Sequence, residues 1–355
     1  MYILGINLSH HSSTCLLNDG KIVYYIEEER LSRKKEHQIG KDSKIRESIK
    51  GVECIKNYTD TIDYVIISSF RTIDFIEEEI IQSLGDWFNN NGINVGEFIY
   101  YLEQHHLFHA SNAFYASGFE ESACLVIDGS GCFTKTNKNG NPFREIESIY
   151  SCSYESGIKE YFKHYSTRGE GCYNELKIES IENSTYVFSD SISCGDLFSK
   201  ASVCFGMGDK DNAGKIMGMS SYGNCEKYDR WYASIDEISI TNNNIIIPEF
   251  CKTYESFQEK SNLAAKIQKE TKEHTISLIH KALNQTNSNN IVLSGGYFLN
   301  CVNNYEYIKE FPDINFYIDP ISHDGGTSIG AAKYFWYDLT SSKNKYPIKD
   351  LYLGI

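Results

Sequence analysis

The chain has 355 residues, a formal net charge of −14, 41% hydrophobic residues and 14% aromatic residues, which is enough apolar material for two core-bearing lobes and too much for a disordered chain. Its acidity argues against nucleic acid as the main partner, because phosphate neutralisation needs clustered cations and these occur only briefly at Arg33-Lys34-Lys35. No run approaches the roughly 18 apolar residues of a membrane span and no charged leader precedes the first strand, so a soluble, cytoplasmic protein without membrane partners is expected; the 11 cysteines contain no CxxC pair, and Cys15, Cys124, Cys204 and Cys301, lying in apolar runs, read as reduced core thiols.

In chain order, the N-terminus reads as a hairpin system: strand Tyr2 to Ile6, a polar corner from Asn7 to Ser13, strand Thr14 to Leu17, the turn Asn18-Asp19-Gly20, and strand Ile22 to Ile26. An acidic run, Glu27 to Glu29, and the basic stretch Arg30 to Lys35 follow. The absence of Gly and Pro from Tyr100 to Ala116 permits a helix, on which His105 and His109 project side by side. Two imidazoles on one helical face make half of a metal site, and apolar Leu107, Phe108, Ala110, Ala113 and Phe114 place that helix in a core. Ala123 to Ile127 is a strand opening onto the corner Asp128-Gly129-Ser130-Gly131; a short strand, the turn Asn139-Gly140-Asn141 and strand Ile146 to Tyr154 complete a unit ordered like the first one.

Cys152 to Asn212 carries weak periodicity and is assigned to the lining of an acceptor pocket. Gly214 and Gly218 are four apart, which suits close helix packing or backbone approach to a ligand. Phe257 to Asn284 is the clearest helix, with Leu263, Ile267, His274, Leu278 and Ala282 at helical spacing, so His274 reads as a packing residue. Strand Ile291 to Leu293 opens onto Ser294-Gly295-Gly296, where free backbone N–H groups can face phosphate or a purine ring. A last strand, Asn315 to Ile318, leads to Asp324, which reads as an N-cap or as a ligand, and Ile329 to Leu339 is helical.

Strand, polar corner, strand, Gly turn, strand, occurring twice, is the organisation of the actin and sugar-kinase superfamily: a two-lobed α/β fold with duplicated mixed sheets that clasps a nucleotide. The lobes are placed at 1–118 and 119–355, with the C-terminal helix able to pack back on the first. Seven motifs in order resemble the amino-terminal catalytic domain of the O-carbamoyltransferases of nodulation and antibiotic tailoring, which is related to the threonylcarbamoyl-transfer proteins of tRNA modification. They are Ile3-Leu4-Gly5-Ile6 with His10, Glu28 to Lys35, His105 to Ala110, Val126 to Gly129, Gly214 to Gly223, Ser294 to Gly296 with Leu299-Asn300-Cys301, and Asp324 with Gly330-Ala331-Ala332.

The resemblance implies that His105, His109, Asp128 and Asp324 hold an iron-type divalent ion, that Gly129, Gly295, Gly296 and Asn300 contact ATP or carbamoyl adenylate, that Lys35 is a cation near the donor phosphate, and that His10 serves transfer to the acceptor hydroxyl. It implies a small-molecule or sugar hydroxyl as acceptor. The family's usual Asp after that first His is here His11. The family's second, YrdC-like domain, which makes carbamoyl adenylate, is not matched by any part of the chain, so the adenylate is expected from a separate YrdC-like partner, the alternative being a second domain excised from the chain. Two other readings of the same motifs are an ATP-dependent kinase of this superfamily and a non-catalytic nucleotide-binding subunit of a carbamoylation complex.

Overall fold

A computed structural model describes residues 1–38, 50–69, 77–101, 103–136, 140–167, 177–208, 212–227, 254–351 and 353. In chain order the first half contains β1 (Tyr2–Asn7), β2 (Ser13–Asn18), β3 (Lys21–Glu27), α1 (Glu28–Ser32), α2 (Lys50–Glu53), β4 (Thr61–Ser68), α3 (Glu77–Asn90), β5 (Asn94–Tyr100) and α4 (His105–Ser117). The second half contains β6 (Glu121–Ile127), β7 (Phe133–Thr136), β8 (Pro142–Ser153), β9 (Gly157–Ser166), β10 (Lys177–Ile181), β11 (Ser184–Ser189), α5 (Cys194–Cys204), α6 (Ala213–Ser220), α7 (Phe257–Thr286), β12 (Asn290–Ser294), α8 (Cys301–Glu310), β13 (Asn315–Ile318) and α9 (Thr327–Thr340).

Among the described residues the first sheet runs β3-β2-β1-β4-β5, and the second contains the same path as β9-β8-β6-β12-β13, extended at one edge by β11 and β10. Pairing repeats too. β1, β2 and β3 pair antiparallel in turn, as do β6, β8 and β9, whereas β4 and β12 lie parallel to β1 and β6. The duplicated mixed sheets are those expected of the actin and sugar-kinase type. The stretch after Cys152, unreadable by periodicity, holds β9, β11, the partly exposed edge strand β10, and α5. Edge strands bury only part of their surface, so their sequence carries no clean alternation. Asn139 of the expected turn lies outside the described residues.

Alternate residues of β1 serve two cores. Ile3 faces the layer shared with α4 and α9, while Leu4 and Ile6 face α2, α3 and their surroundings. The second sheet divides in the same way: Cys124 and Val126 join the shared layer, and Leu125 and Ile127 join the core built with α5 and α7. Each half's last helix packs on the other half's sheet, α4 against β6 and β12, α9 against β1, β2 and β4, and the two helices pack against each other. Cys301, read from the sequence as a core thiol, opens α8 and is exposed, whereas Cys15 and Cys124 are buried. No helix among the described residues is long and apolar enough to cross a membrane.

Two glycines permit this three-layer contact. A Cβ at Gly5 would lie 2.0 Å from the carbonyl oxygen of Ser328, and one at Gly330 would lie 1.9 Å from that of Phe108, so α9 rests on β1 and α4 through backbone contact. Neither neighbour can rotate away, because both are main-chain atoms. Gly330→Val is therefore expected to cost at least the roughly 1–3 kcal/mol typical of overpacking, lowering the urea midpoint; an unchanged midpoint would mean that α9 moves freely over α4.

Candidate metal centre and ligand cleft

The strands of both sheets end at one cleft. β1 runs into the corner carrying His10, β6 into Asp128, β12 into Gly295 and Gly296, and β13 leads to Asp324 just before α9. Helix α4 begins at the same place. All its residues from His105 to Ala116 are buried, so its two spaced histidines point into the protein rather than into solvent. His105 Nε2 and His109 Nε2 are 3.2 Å apart, His105 Nε2 is 3.5 Å from both Asp128 Oδ2 and Asp324 Oδ1, and His109 Nε2 is 3.7 Å from Asp324 Oδ1.

This geometry fits a divalent cation. Four donors around an ion at about 2.1 Å lie roughly 3.0–3.4 Å from one another, close to these separations. Two Nε2 lone pairs facing each other repel unless a proton or a cation stands between them, and two carboxylates beside two neutral imidazoles leave a charge of −2 to be balanced. With a proton in that role, burial alone would push His105 down, yet Asp324 and Asp128 outweigh it and raise it to about 10. Asp128 and Asp324 are held below the usual carboxylate range: burial, which would raise them, is overridden by the two histidines. Ser9 Oγ lies 3.2 Å from Asp324 Oδ2, and Asn7 Nδ2 donates to the Asp324 carbonyl at 3.0 Å, so the first lobe fixes the ligand of the last loop.

Three further clusters of similar composition stand among the described residues: His10, His11 and Glu36; His11, Glu27 and His323; and Glu147, Cys194 and His274. The last two differ from the four-residue centre in their hydrogen bonding. Glu147 Oε1 accepts from His274 Nε2 at 2.6 Å and its Oε2 meets His164 Nδ1 at 2.9 Å, which are hydrogen-bond lengths, too short for two ligands of one ion. His274, expected only to pack, is thus the helix α7 end of a buried polar tie to β8 and β9. His323 Nδ1 accepts from the Gly325 N–H at 3.0 Å, so its Nε2 carries the proton and faces Glu27 at 3.6 Å as a donor.

A cavity of about 410 Å³ adjoins the four-residue centre and is lined from both lobes. The first half contributes His10, His11, Glu36 and Gln38, with His323 packed on His11 at 4.4 Å between ring centroids; the second half contributes Phe198, Ser199, Gly214, Met217, Leu299 and Asn300 along with Asp128, Gly129, Gly296 and Asp324. Of the residues selected from sequence, His10, Gly129, Gly296 and Asn300 line this cavity together with Asp128 and Asp324. The Gly296 N–H donates to Asp128 Oδ1 at 3.2 Å, linking the turn to the centre. Asn300 also caps α8 through Asn303 N and exchanges two hydrogen bonds with Gln268.

Gly295 and Lys35 stand apart. Gly295 has φ +101° and sits behind the cavity, where a Cβ would lie 2.2 Å from the Ile127 carbonyl oxygen, so its role in the structure is the close approach of β12's turn to β6. Lys35 is 72% exposed and bonds Glu36 Oε1 at 2.7 Å. Sequence reasoning missed Arg144, Gly195, Asp196, Glu36 and His323, all of which line the cavity. Gly195 packs against the Gly129 backbone, and the pattern Ser193-Cys194-Gly195-Asp196, a Ser N-cap accepting from Asp196 N, was the available signal for that helix start. His11 is pushed down to about 3, first by burial and then by His323 and His10, so it is neutral.

The protein is expected to bind close to one equivalent of a divalent ion, with His109→Ala and Asp324→Ala each weakening it about 10-fold or more. Because His105 holds its proton up to about pH 10 without the ion and must lose it to become a ligand, binding should release protons and tighten as pH rises through neutrality. Calorimetry in two buffers of different ionisation enthalpy checks the sign; proton uptake, or equal ion content in wild type and both variants, would exclude this centre.

Residues 94–333 match the family described as carbamoyltransferase N-terminus. The nodulation protein NolNO of Sinorhizobium fredii is 23% identical over 362 residues, covering 97% of this chain and 49% of that protein. An uncharacterised protein of Synechocystis is 25% identical over 402 residues, covering 99% of this chain and 60% of that one. The chain thus spans 49–60% of the length of these curated relatives. Among solved structures, HypF of T. kodakarensis superposes with a TM-score of 0.58 at 11% identity over 95% of this chain and 47% of its own. A full-length HypF in a phosphate- and nucleotide-bound form gives 0.55 at 17% identity over 96% and 56%. At such identities the likeness shows the fold, which is the two-lobed actin and sugar-kinase-like one.

Proposed function

The chain belongs to the carbamoyltransferase N-terminus family, and from that premise we propose that it transfers a carbamoyl group from carbamoyl adenylate to a hydroxyl of a small molecule or sugar. The observation that carries this reading is one cavity lined by His10, by Gly129, Gly296 and Asn300, and by Asp128 and Asp324 of the centre that His105 and His109 complete. When bound there, a divalent ion, iron-type by the resemblance, supplies charge for phosphate oxygens and polarisation for a carbonyl.

The chain's own residues supply the rest. Gly129 and Gly296 leave backbone space for the nucleotide, Phe198, Met217 and Leu299 give it apolar walls, and Arg144 at the cavity wall is a cation for its phosphate. His10 takes the proton of the acceptor hydroxyl. The oxygen forms a bond to the carbamoyl carbon, the bond from that carbon to the phosphate oxygen breaks, and AMP leaves with that electron pair. The two-lobed enclosure keeps the mixed anhydride from bulk water. The adenylate itself is supplied by a YrdC-like activity, and the acceptor hydroxyl lies beside His10.

Chemically prepared carbamoyl adenylate, incubated with the protein and cell extract, should yield a species heavier by one HNCO unit. Carbamoyl phosphate and ATP should yield it only when a YrdC-like protein is added. His10→Asn should slow transfer by about 10² to 10⁴ while leaving nucleotide affinity nearly intact; unchanged turnover with a lowered melting temperature would reduce His10 to a structural role. Phosphorylated acceptor in place of the carbamoylated one would reassign the chain to the kinases.

A further inference from the structure

A histidine that accepts a proton must present a lone pair to it, and a neutral imidazole has only one such nitrogen. Which nitrogen is bare is set by what the other one donates to. The partner is a carboxylate in many enzymes that use histidine as a base. At the corner after β1, the following residue, His11, is neutral and cannot play that part. A carboxylate reaches His10 from elsewhere: Glu36 Oε2 lies 3.5 Å from His10 Nε2, and both side chains line the cavity.

The meeting is built by the backbone. Asn7 Nδ2 donates to the carbonyls of His10 and His11 at 3.1 and 3.2 Å, which pins the corner. Ser12 N donates to His37 O at 2.9 Å, tying the corner to the segment that carries Glu36. Glu36 N donates to Glu29 Oε2 at 2.8 Å, and Glu36 has φ +55°, a left-handed conformation unfavourable for a non-glycine residue. The segment thus holds an unfavourable backbone that turns this carboxylate inward. Its second oxygen receives Lys35 Nζ at 2.7 Å, while the side chain is only 12% exposed. Separations of 3.5 Å shorten to hydrogen bonds once a ligand closes such a site.

We propose that Glu36 is the positioning residue of His10: its carboxylate accepts the Nε2 proton and holds the ring in the tautomer whose Nδ1 lone pair receives the acceptor's proton. It takes the place of the acidic residue that the resemblance sets beside this histidine and that His11 replaces here. Lys35 acts on the other carboxylate oxygen, so this lysine orients the pair rather than the substrate. The proposal rests on the transferase reading for its consequence, whereas the tautomer is measurable without turnover.

The test uses protein carrying 15N-labelled histidine, with the His10 signals assigned by their loss in His10→Asn. The wild type should show His10 in the Nε2–H tautomer, Glu36→Ala a mixture of both, and Glu36→Gln, whose amide oxygen still accepts, the wild-type tautomer. In transfer assays Glu36→Ala should lose about 10- to 100-fold in kcat with little change in KM, and His11→Asp in the same background should restore part of it. An unchanged tautomer in Glu36→Ala, or loss of a second equivalent of bound divalent ion in that variant, would overturn the proposal. Should the wild type transfer no carbamoyl group, the functional reading falls and the tautomer still decides the role of Glu36.

Discussion

Two buried imidazole nitrogens held 3.2 Å apart, with two carboxylates within 3.7 Å, constitute the constraint around which this molecule is arranged. Each of the four groups alone would be costly to bury, and together they tolerate burial only with a shared proton or cation. Their side chains come from α4, from the end of β6 and from the loop before α9, so closing the centre brings both sheets together. The raised His105 and the depressed Asp128 and Asp324 are two faces of the same attraction.

That arrangement depends on how α4 and α9 cross. Each helix ends one half of the chain yet packs on the sheet of the other, and Gly330 lets the crossing be close enough for Asp324, three residues before α9 starts, to reach His105 and His109. Asp319 reinforces the junction by accepting from Asn112 of α4 and Ser294 of β12, both at 2.8 Å. A buried carboxylate with several donors is a positional device, since no alternative packing satisfies it as well. The cleft therefore lies between rigid elements, with cavity residues drawn from both lobes.

The lining of the cavity is chemically mixed: His10, His11, His323 and Glu36 stand with Phe198, Met217, Leu299 and the backbone of Gly129 and Gly296. Asn300 lines it while capping α8 and bonding Gln268, so its orientation is set by the protein itself. Gly295, three strands away in the sheet path from β9, serves the packing of the turn itself.

Elements whose signals are local were legible before folding. Alternation and turn residues located β1, β2, β3 and β6, and His105 and His109 shared a helical face because four residues nearly complete a turn. The repeated order of strands and corners was enough for the duplicated fold. Tertiary structure alone decided what distant segments do to one another. Asp324 stands 3.5 Å from His105, more than two hundred residues away in the chain, a neighbourhood that no local pattern announces. His274 read as packing because helical spacing reports burial and not the carboxylate, Glu147, that meets it from β8. Glu36 and Arg144 carried no periodicity at all: a charged residue in a loop reads as solvated, and only the backbone bond from Ser12 to His37 and the pairing of β7 with β8 turn them toward the cleft.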